Sequence, residues 1–258
     1  MILKNFQAHG PSPAQADRRA LRQLPSASTS YQTTTQLHHR IYSLVHPIYT
    51  HQTAVMEVLL GITGKDFTII AASKAAMRGA TILKATDDKT RELNQHNLMA
   101  FSGEAGDTIQ FAEYIQANIR LYTMRNTTSL PPAAVSSFVR SELSRALRSR
   151  RPYTVNLLLG GYDTITDTPA LYWIDYLAAL AKVPYAAHGY AQYYCLSILD
   201  KHHHPDIGFE RGMELLRMCT DELKRRLPVD FKGVTVKVVT KEGIREVEYV
   251  DDKPVKSA

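Results

Sequence analysis

The 258 residues of this chain are 44% hydrophobic and 22% charged, which is ordinary for a globular protein with a sizeable core. Most of the net charge of +6 lies in residues 1–55, where five basic residues face one acid, so the rest of the chain is nearly neutral. This distribution disfavours a nucleic-acid-binding protein, and the absence of any run of 18 apolar residues predicts no membrane-spanning helix.

Residues 1–55 differ in composition from the sequence that follows. They are rich in Ser, Thr, Gln, His and Pro and show no sustained hydrophobic period, which predicts a disordered extension. Three interpretations stay open: residues upstream of a true start at Met56 or a dispensable tail, a pro-segment that is removed, or an organellar transit peptide. Four prolines count against the transit peptide because they interrupt any long amphipathic helix. We expect one folded domain over residues 56–258.

The first half of this domain reads as strands followed by two helices. Alternating apolar residues predict a hairpin, with strands at 58–63 and 67–72 joined by a turn at 64–66. Further strands are predicted at 80–84 and 97–102, and amphipathic helices at 107–125 and 132–151. Between strand and helix, Gly103 and Gly106 allow a close approach of the backbone. Asp107 with Gln110 has the spacing of a capping box that starts the helix.

The second half predicts the order strands, two helices, two strands. The near-continuous apolar run at 154–160 indicates a strand covered on both faces, followed by a turn at 161–163. Strands are then expected at 170–175 and 185–189, helices at 191–199 and 209–226, and strands at 233–239 and 244–249. Grouped helices favour a layered α+β fold, in which two sheets pack face to face and each is covered outside by a helix pair.

Most polar clusters have an ordinary structural interpretation. His202-His203-His204 is expected to be an exposed loop between helices, because consecutive histidines rarely converge on one metal ion. His188 is expected in a turn, and Asp87-Asp88-Lys89 in a solvated turn. Cys195 and Cys219 fall in predicted helices and are expected to be buried thiols, as in a reducing compartment. No metal or cofactor is predicted.

Five segments of the domain resemble the beta-type subunits of the proteasome core particle, which belong to the N-terminal nucleophile hydrolase superfamily. They are residues 56–79, 103–125, 148–163, 176–190 and 227–239, among which GEAGDTIQFAEYIQ and the RSRRPYTVNLLLGGYD segment are long and specific. The resemblance implies a four-layer αββα sandwich of the N-terminal nucleophile hydrolase type, within a seven-membered beta ring. Within that family the chain most resembles a non-catalytic subunit.

In catalytic members of that family an N-terminal threonine attacks the substrate, helped by its own α-amine, an aspartate, a lysine and an oxyanion-binding glycine. The resemblance places Glu57 at the position of the nucleophile and Ser73 at that of the aspartate. It also places Lys89 at the lysine, Gly103 at the oxyanion glycine, and Tyr190 where a later serine assists the amine. The lysine and the glycine are thus retained and three partners are lost. No Gly-Thr pair, the usual self-cleavage junction, occurs in the chain.

The resemblance therefore implies a structural, non-catalytic beta subunit of the 20S proteasome core particle, which acts in ubiquitin-dependent protein degradation. Its expected partners are the other beta subunits of its ring, the alpha-ring subunits and the opposing beta ring, and its expected location is cytoplasmic and nuclear. The helices at 107–125 and 132–151 are the predicted contact elements, with the basic residues Arg148, Arg150 and Arg151 available for salt links. The alternative is a catalytically active threonine endopeptidase subunit with an unrecognised nucleophile.

Overall fold

A computed structural model describes residues 57–78 and 81–249 of the chain. The strands are β1 (Val58–Thr63), β2 (Thr68–Ser73), β3 (Ala76–Arg78), β4 (Thr81–Lys84), β5 (Thr90–Asn94), β6 (Asn97–Gly103), β7 (Val155–Asp163), β8 (Thr168–Ile174), β9 (Leu180–Lys182), β10 (Tyr185–Gly189), β11 (Val234–Thr240) and β12 (Gly243–Val247). The helices are α1 (Ala105–Asn126), α2 (Pro132–Leu147), α3 (Ala191–Tyr194), α4 (Leu196–His202) and α5 (Phe209–Arg226). The predicted segment at 1–55 lies outside the described residues.

Two five-stranded antiparallel sheets form the centre of the domain. One has the strand order β10-β1-β2-β11-β12 and the other β5-β6-β7-β8-β9, while β3 and β4 form a separate two-stranded ribbon. Every strand pair within them is antiparallel, including the predicted hairpin of β1 and β2. The two sheets bring residues far apart in sequence, such as the start of β1 and the end of β6, to the same end of the domain.

Three clusters of buried side chains pack the two sheets and the two helical layers against one another. The cluster between the sheets contains Leu59, Ile70 and Leu158. A second cluster joins α1 and α2 to the β5–β9 sheet, and a third joins α3, α4 and α5 to the other sheet. Each sheet is thus buried on both faces, which is the αββα sandwich expected from the sequence and explains the near-continuous apolar strands.

Several local predictions at the ends of elements were wrong. The helix predicted at 132–151 ends at Leu147. The predicted turn at 161–163 is the end of β7, whose neighbour β8 pairs with it up to Asp163, and the chain turns afterwards at 164–167. The predicted capping box is also absent, because α1 begins at Ala105 with Glu104 as its N-cap and no side-chain cap. The Asp107 carboxylate instead accepts a hydrogen bond from the Thr154 N–H at 3.0 Å, which ties α1 to the start of β7.

Three side chains are placed differently from their predictions. His188 lies within β10 and is buried, so it is not a turn residue. His203, although it is next to the exposed His204, is also buried, and its Nε2 lies 2.8 Å from the Thr63 carbonyl oxygen. Cys195 and Cys219 are buried free thiols as predicted, but Cys195 occupies the junction between α3 and α4.

Candidate functional site

Glu57, which directly precedes β1, is the centre of the predicted site. Its Oε2 accepts a hydrogen bond from the Gly103 N–H at the end of β6, with an N···O distance of 3.1 Å. Gly103 has a φ of +138°, and a Cβ at this position would lie 2.1 Å from the Thr154 carbonyl oxygen. Only glycine fits this backbone. The glycine turn noted in the sequence therefore directs a backbone donor at the carboxylate of Glu57.

Lys89 is buried next to Glu57, which corrects the expectation of a solvated turn at this position. Its ammonium donates to two backbone carbonyl oxygens, that of Ser73 at the end of β2 at 2.9 Å and that of Ala75 just beyond it at 2.7 Å. The Nζ atom lies 3.8 Å from the Glu57 Oε1 and 3.8 Å from an oxygen of Asp87. The lysine is 2% exposed, so this ion pair is largely shielded from solvent.

Ser73 lies in the same cluster but makes no contact that resembles acid–base chemistry. Its hydroxyl oxygen accepts a hydrogen bond from the Val58 N–H at 3.2 Å, and its carbonyl oxygen accepts from Lys89. The side chain is buried. Ser73 therefore fixes the start of β1 against the end of β2.

Tyr190 lies at the edge of this cluster, one residue after the end of β10. Val58 pairs with Gly189, and a Cβ on Gly189 would lie 2.0 Å from the Glu57 carbonyl oxygen. Gly189 has a φ of +68°, a conformation that glycine adopts freely. The Tyr190 ring makes an edge contact with Tyr193 instead of a polar contact with Glu57. Gly189 was not singled out from the sequence, where its position next to Tyr190 was the available signal.

Burial shifts the pKa values of both charged groups in the site. Desolvation raises the pKa of the Glu57 carboxyl above its ordinary value, against the opposing effects of Lys89 and the Gly103 N–H. Desolvation likewise lowers the pKa of the Lys89 ammonium, against the opposing charges of Glu57 and Asp87. The two shifts share one cause, the removal of both charges from water.

The site thus combines a carboxylate, an ammonium and a backbone N–H that already bind one another. Among residues 57–78 and 81–249, no group of three or more His, Cys, Asp or Glu side chains is arranged to hold a metal ion. Within the same ranges, none of the helices has both the length and the apolar content needed to cross a membrane.

Comparison with known proteins identifies the family. The family model for proteasome subunits matches residues 57–239. The chain is 76% identical over 203 residues to a probable proteasome subunit beta type-4 of Neurospora crassa, which covers 79% of this chain and all of the relative. It is 56% identical over 193 residues to proteasome subunit beta type-4 of Saccharomyces cerevisiae, with 75% and 98% of the two chains covered.

A plant protein extends this similarity. Proteasome subunit beta type-2 of Oryza sativa subsp. japonica is 42% identical over 202 residues, which cover 77% of this chain and 94% of the relative. The residues that the family model matches include all five helices and every strand except β12 and the last residue of β11. With its four-layer sandwich, this chain therefore belongs to the proteasome subunit family.

Proposed function

We propose that this chain is a non-catalytic beta subunit of the 20S proteasome core particle, equivalent to the fourth beta subunit of the yeast naming scheme. The observation that carries the proposal is the environment of Glu57. Its carboxylate accepts a hydrogen bond from the Gly103 N–H and lies 3.8 Å from the Lys89 ammonium. The beta type-4 names of the fungal relatives and the beta type-2 name of the rice relative support the same subunit type.

The chemistry of this position supports a non-catalytic role. A threonine peptidase needs a hydroxyl nucleophile and a nearby base, and it uses a free backbone donor to stabilise the oxyanion. Glu57 has no hydroxyl, and the sequence places Met56 before it, so its nitrogen belongs to an amide. The donor that would stabilise an oxyanion already binds the Glu57 carboxylate.

The work of such a subunit is assembly with the other subunits of the particle. In our proposal the chain occupies one position of a seven-membered beta ring and contacts alpha-ring subunits and the opposing beta ring. Contacts around a closed ring of different subunits need several distinct surfaces on one chain. We also propose a cytoplasmic and nuclear location, which imaging of the tagged chain would test.

A covalent probe tests the non-catalytic part of the proposal. An epoxyketone inhibitor that reacts with N-terminal threonines is added to the intact particle, and the labelled chains are identified by mass spectrometry. We expect label on catalytic beta subunits of the same particle, which serve as the internal control, and none on this chain. Label on this chain, or a mature terminus at a threonine, would instead support the rival interpretation of an active subunit.

A further inference from the structure

The Gly103 N–H is a fixed hydrogen-bond donor whose position does not depend on Glu57. Gly103 pairs with Val155 in the antiparallel ladder of β6 and β7. Its backbone, with a φ of +138°, packs so closely on the Thr154 carbonyl oxygen that a Cβ would lie 2.1 Å from it. The neighbouring Glu104 N–H donates to the Thr154 carbonyl oxygen at 3.1 Å and is therefore already satisfied. Removal of the Glu57 side chain would thus leave the Gly103 N–H in place without its acceptor.

Lys89 is likewise held in place by contacts that do not involve Glu57. Two of the three ammonium donors bind the carbonyl oxygens of Ser73 and Ala75, and its own carbonyl oxygen accepts from the Phe101 N–H at 3.0 Å. The remaining charge faces the carboxylates of Glu57 and Asp87, both at 3.8 Å. The cation is therefore positioned before any anion arrives, which is the condition for an anion site of appreciable affinity.

A second carboxylate of equal exposure shows how unusual this arrangement is. The side chains of Glu57 and Glu142 are 12% and 11% exposed. Glu142, however, is bound by the Arg145 guanidinium and the Tyr114 hydroxyl, and both of these side chains are exposed. Flexible exposed donors lose their arrangement when the carboxylate is removed, whereas a backbone N–H and a buried lysine keep theirs.

We propose that the Glu57 carboxylate is a tethered ligand that fills a residual anion-binding site formed by the Gly103 N–H and the Lys89 ammonium. The natural chain therefore binds no external anion there, because its own carboxylate accepts the Gly103 N–H and lies 3.8 Å from the Lys89 ammonium. Truncation of Glu57 opens the site to a small monocarboxylate or a halide, whose single charge and size match the group that was removed. This inference rests on the contacts of Glu57 alone and holds whether or not the chain is non-catalytic.

Chemical rescue tests this inference with the full-length variant Glu57→Ala. Its thermal unfolding is followed while sodium acetate is added, with neutral acetamide as the comparison ligand. At an acetate concentration tenfold above the dissociation constant we expect the Tm to rise by about 3–6 °C. Acetamide should have no such effect, and the natural chain should respond to neither. Glu142→Ala, truncated at equal exposure, should show no saturable rise with acetate, which controls for general salt effects.

Crystals of the assembled particle provide a direct view of the site. Bromide soaked into the Glu57→Ala particle should give an anomalous peak within hydrogen-bond distance of the Gly103 nitrogen, and the natural particle should give none at this position. A peak in both particles, or in neither, would overturn the proposal. So would an equal Tm response of Glu57→Ala to acetate and acetamide.

Loss of folding in the variant is itself informative. If Glu57→Ala does not accumulate, its refolding yield is measured with acetate and with acetamide. Recovery with acetate alone supports a tethered ligand that the fold requires. Failure of acetate to restore the yield contradicts it. These readouts do not depend on peptidase activity, so they can fail separately from the inhibitor test of the proposed function.

Discussion

His188 shows how burial alone determines the charge state of a side chain in this protein. It is 3% exposed within β10, and its ring stacks on that of Trp173 with a centroid distance of 5.0 Å. Its Nε2 lies 3.0 Å from the Leu157 carbonyl oxygen of the facing sheet. Desolvation lowers the pKa of His188 from 6.5 to about 4, despite backbone hydrogen bonds to Leu157 and Ile174 that oppose the shift, so the imidazole is neutral at physiological pH.

This shift predicts a specific loss of stability in mild acid. The unfolded chain takes up a proton at His188 near pH 6.5 and the folded chain only near pH 4, so the stabilising contribution is present above pH 6.5 and is lost as the pH falls toward 4. Between pH 7 and pH 5 the loss should be about 2 kcal/mol.

Urea unfolding of the isolated full-length chain at pH 7 and pH 5 measures this loss. The variant His188→Asn has no titrating side chain at this position. Its unfolding free energy should therefore fall less over the same interval than that of the natural chain, and the difference between the two chains should be about 2 kcal/mol. Equal pH dependence in both chains would show that His188 is not the responsible group.

The sequence located the members of the candidate site but not the contacts among them. Spacing and resemblance placed Glu57, Ser73, Lys89 and Gly103 in one cluster, and the structure brings these four residues together. The carboxylate bound to the Gly103 N–H was not predictable, because a hydrogen bond between residues 46 positions apart depends on the register of two different sheets. The roles assigned to these positions remain proposals.

At the scale of whole elements, sequence periodicity performed well for long elements and poorly for short ones. The helix at 209–226 was predicted at the bounds of α5, because apolar residues repeat on one face of its sequence. Strands β3 and β9, each of three residues, were missed because so short a segment carries no measurable period. The end of β7 was read as a turn because its glycines resemble turn residues, although they lie within the strand.

Substitution of glycine by alanine is predicted to have opposite effects on stability at two helical positions. A Cβ added to Gly106, near the start of α1, would meet no atom within 4 Å apart from its chain neighbours and the backbone of its own helix, so Gly106→Ala should raise the unfolding free energy by about 0.5–1 kcal/mol. At Gly212 of α5 a Cβ would lie 2.7 Å from the Phe67 ring and 3.1 Å from Ile69. Crowding of this kind costs about 1–3 kcal/mol, which exceeds the gain in helix propensity.

Gly212→Ala should therefore be destabilising although it introduces the better helix former. Urea unfolding of the two variants and the natural chain compares these effects directly, since the chemical change is identical. Stabilisation by both substitutions would mean that the Phe67 ring moves at little cost and that helix propensity prevails at both sites.

At the scale of the whole molecule, the outer surface of the α1–α2 layer has the character of a contact surface. Leu121, Tyr122 and Met124 near the end of α1 are 44%, 40% and 76% exposed. Leu121 and Tyr122 line a groove that reaches Phe138 of α2. We call Leu121, Tyr122 and Met124 the α1 patch. The helical period of the sequence groups Tyr122 with the buried stripe of α1, but its exposure places it on this surface. Contiguous exposed apolar side chains commonly mark protein–protein interfaces.

Charged residues beyond the end of α2 give this layer a second kind of surface. Arg148, Arg150 and Arg151 are exposed, and within the part of the chain that the structure describes none of them lies within 4 Å of a carboxylate. Arg145, one turn earlier, is already paired with Glu142 at 2.8 Å. The three free guanidinium groups suit an acidic surface on a neighbouring subunit, where they would favour correct orientation during association.

The α1 patch leads to a test of assembly that does not depend on catalysis. The double variant Leu121→Ser/Met124→Ser removes two apolar side chains that lie on one helix face, because positions three apart are neighbours there. Both side chains are exposed in the isolated chain, so each substitution should change its unfolding free energy by no more than about 0.5 kcal/mol.

Incorporation of the double variant into the particle should fall several-fold, because interface anchors carry much of the association energy. Ile165→Ser is the matched control, since Ile165 is 83% exposed and lies in the turn between β7 and β8, outside both helices. Native gels of cells that express each tagged variant beside the natural chain measure the incorporated fraction, and equal incorporation of the double variant and the control would remove the α1 patch from the assembly interface.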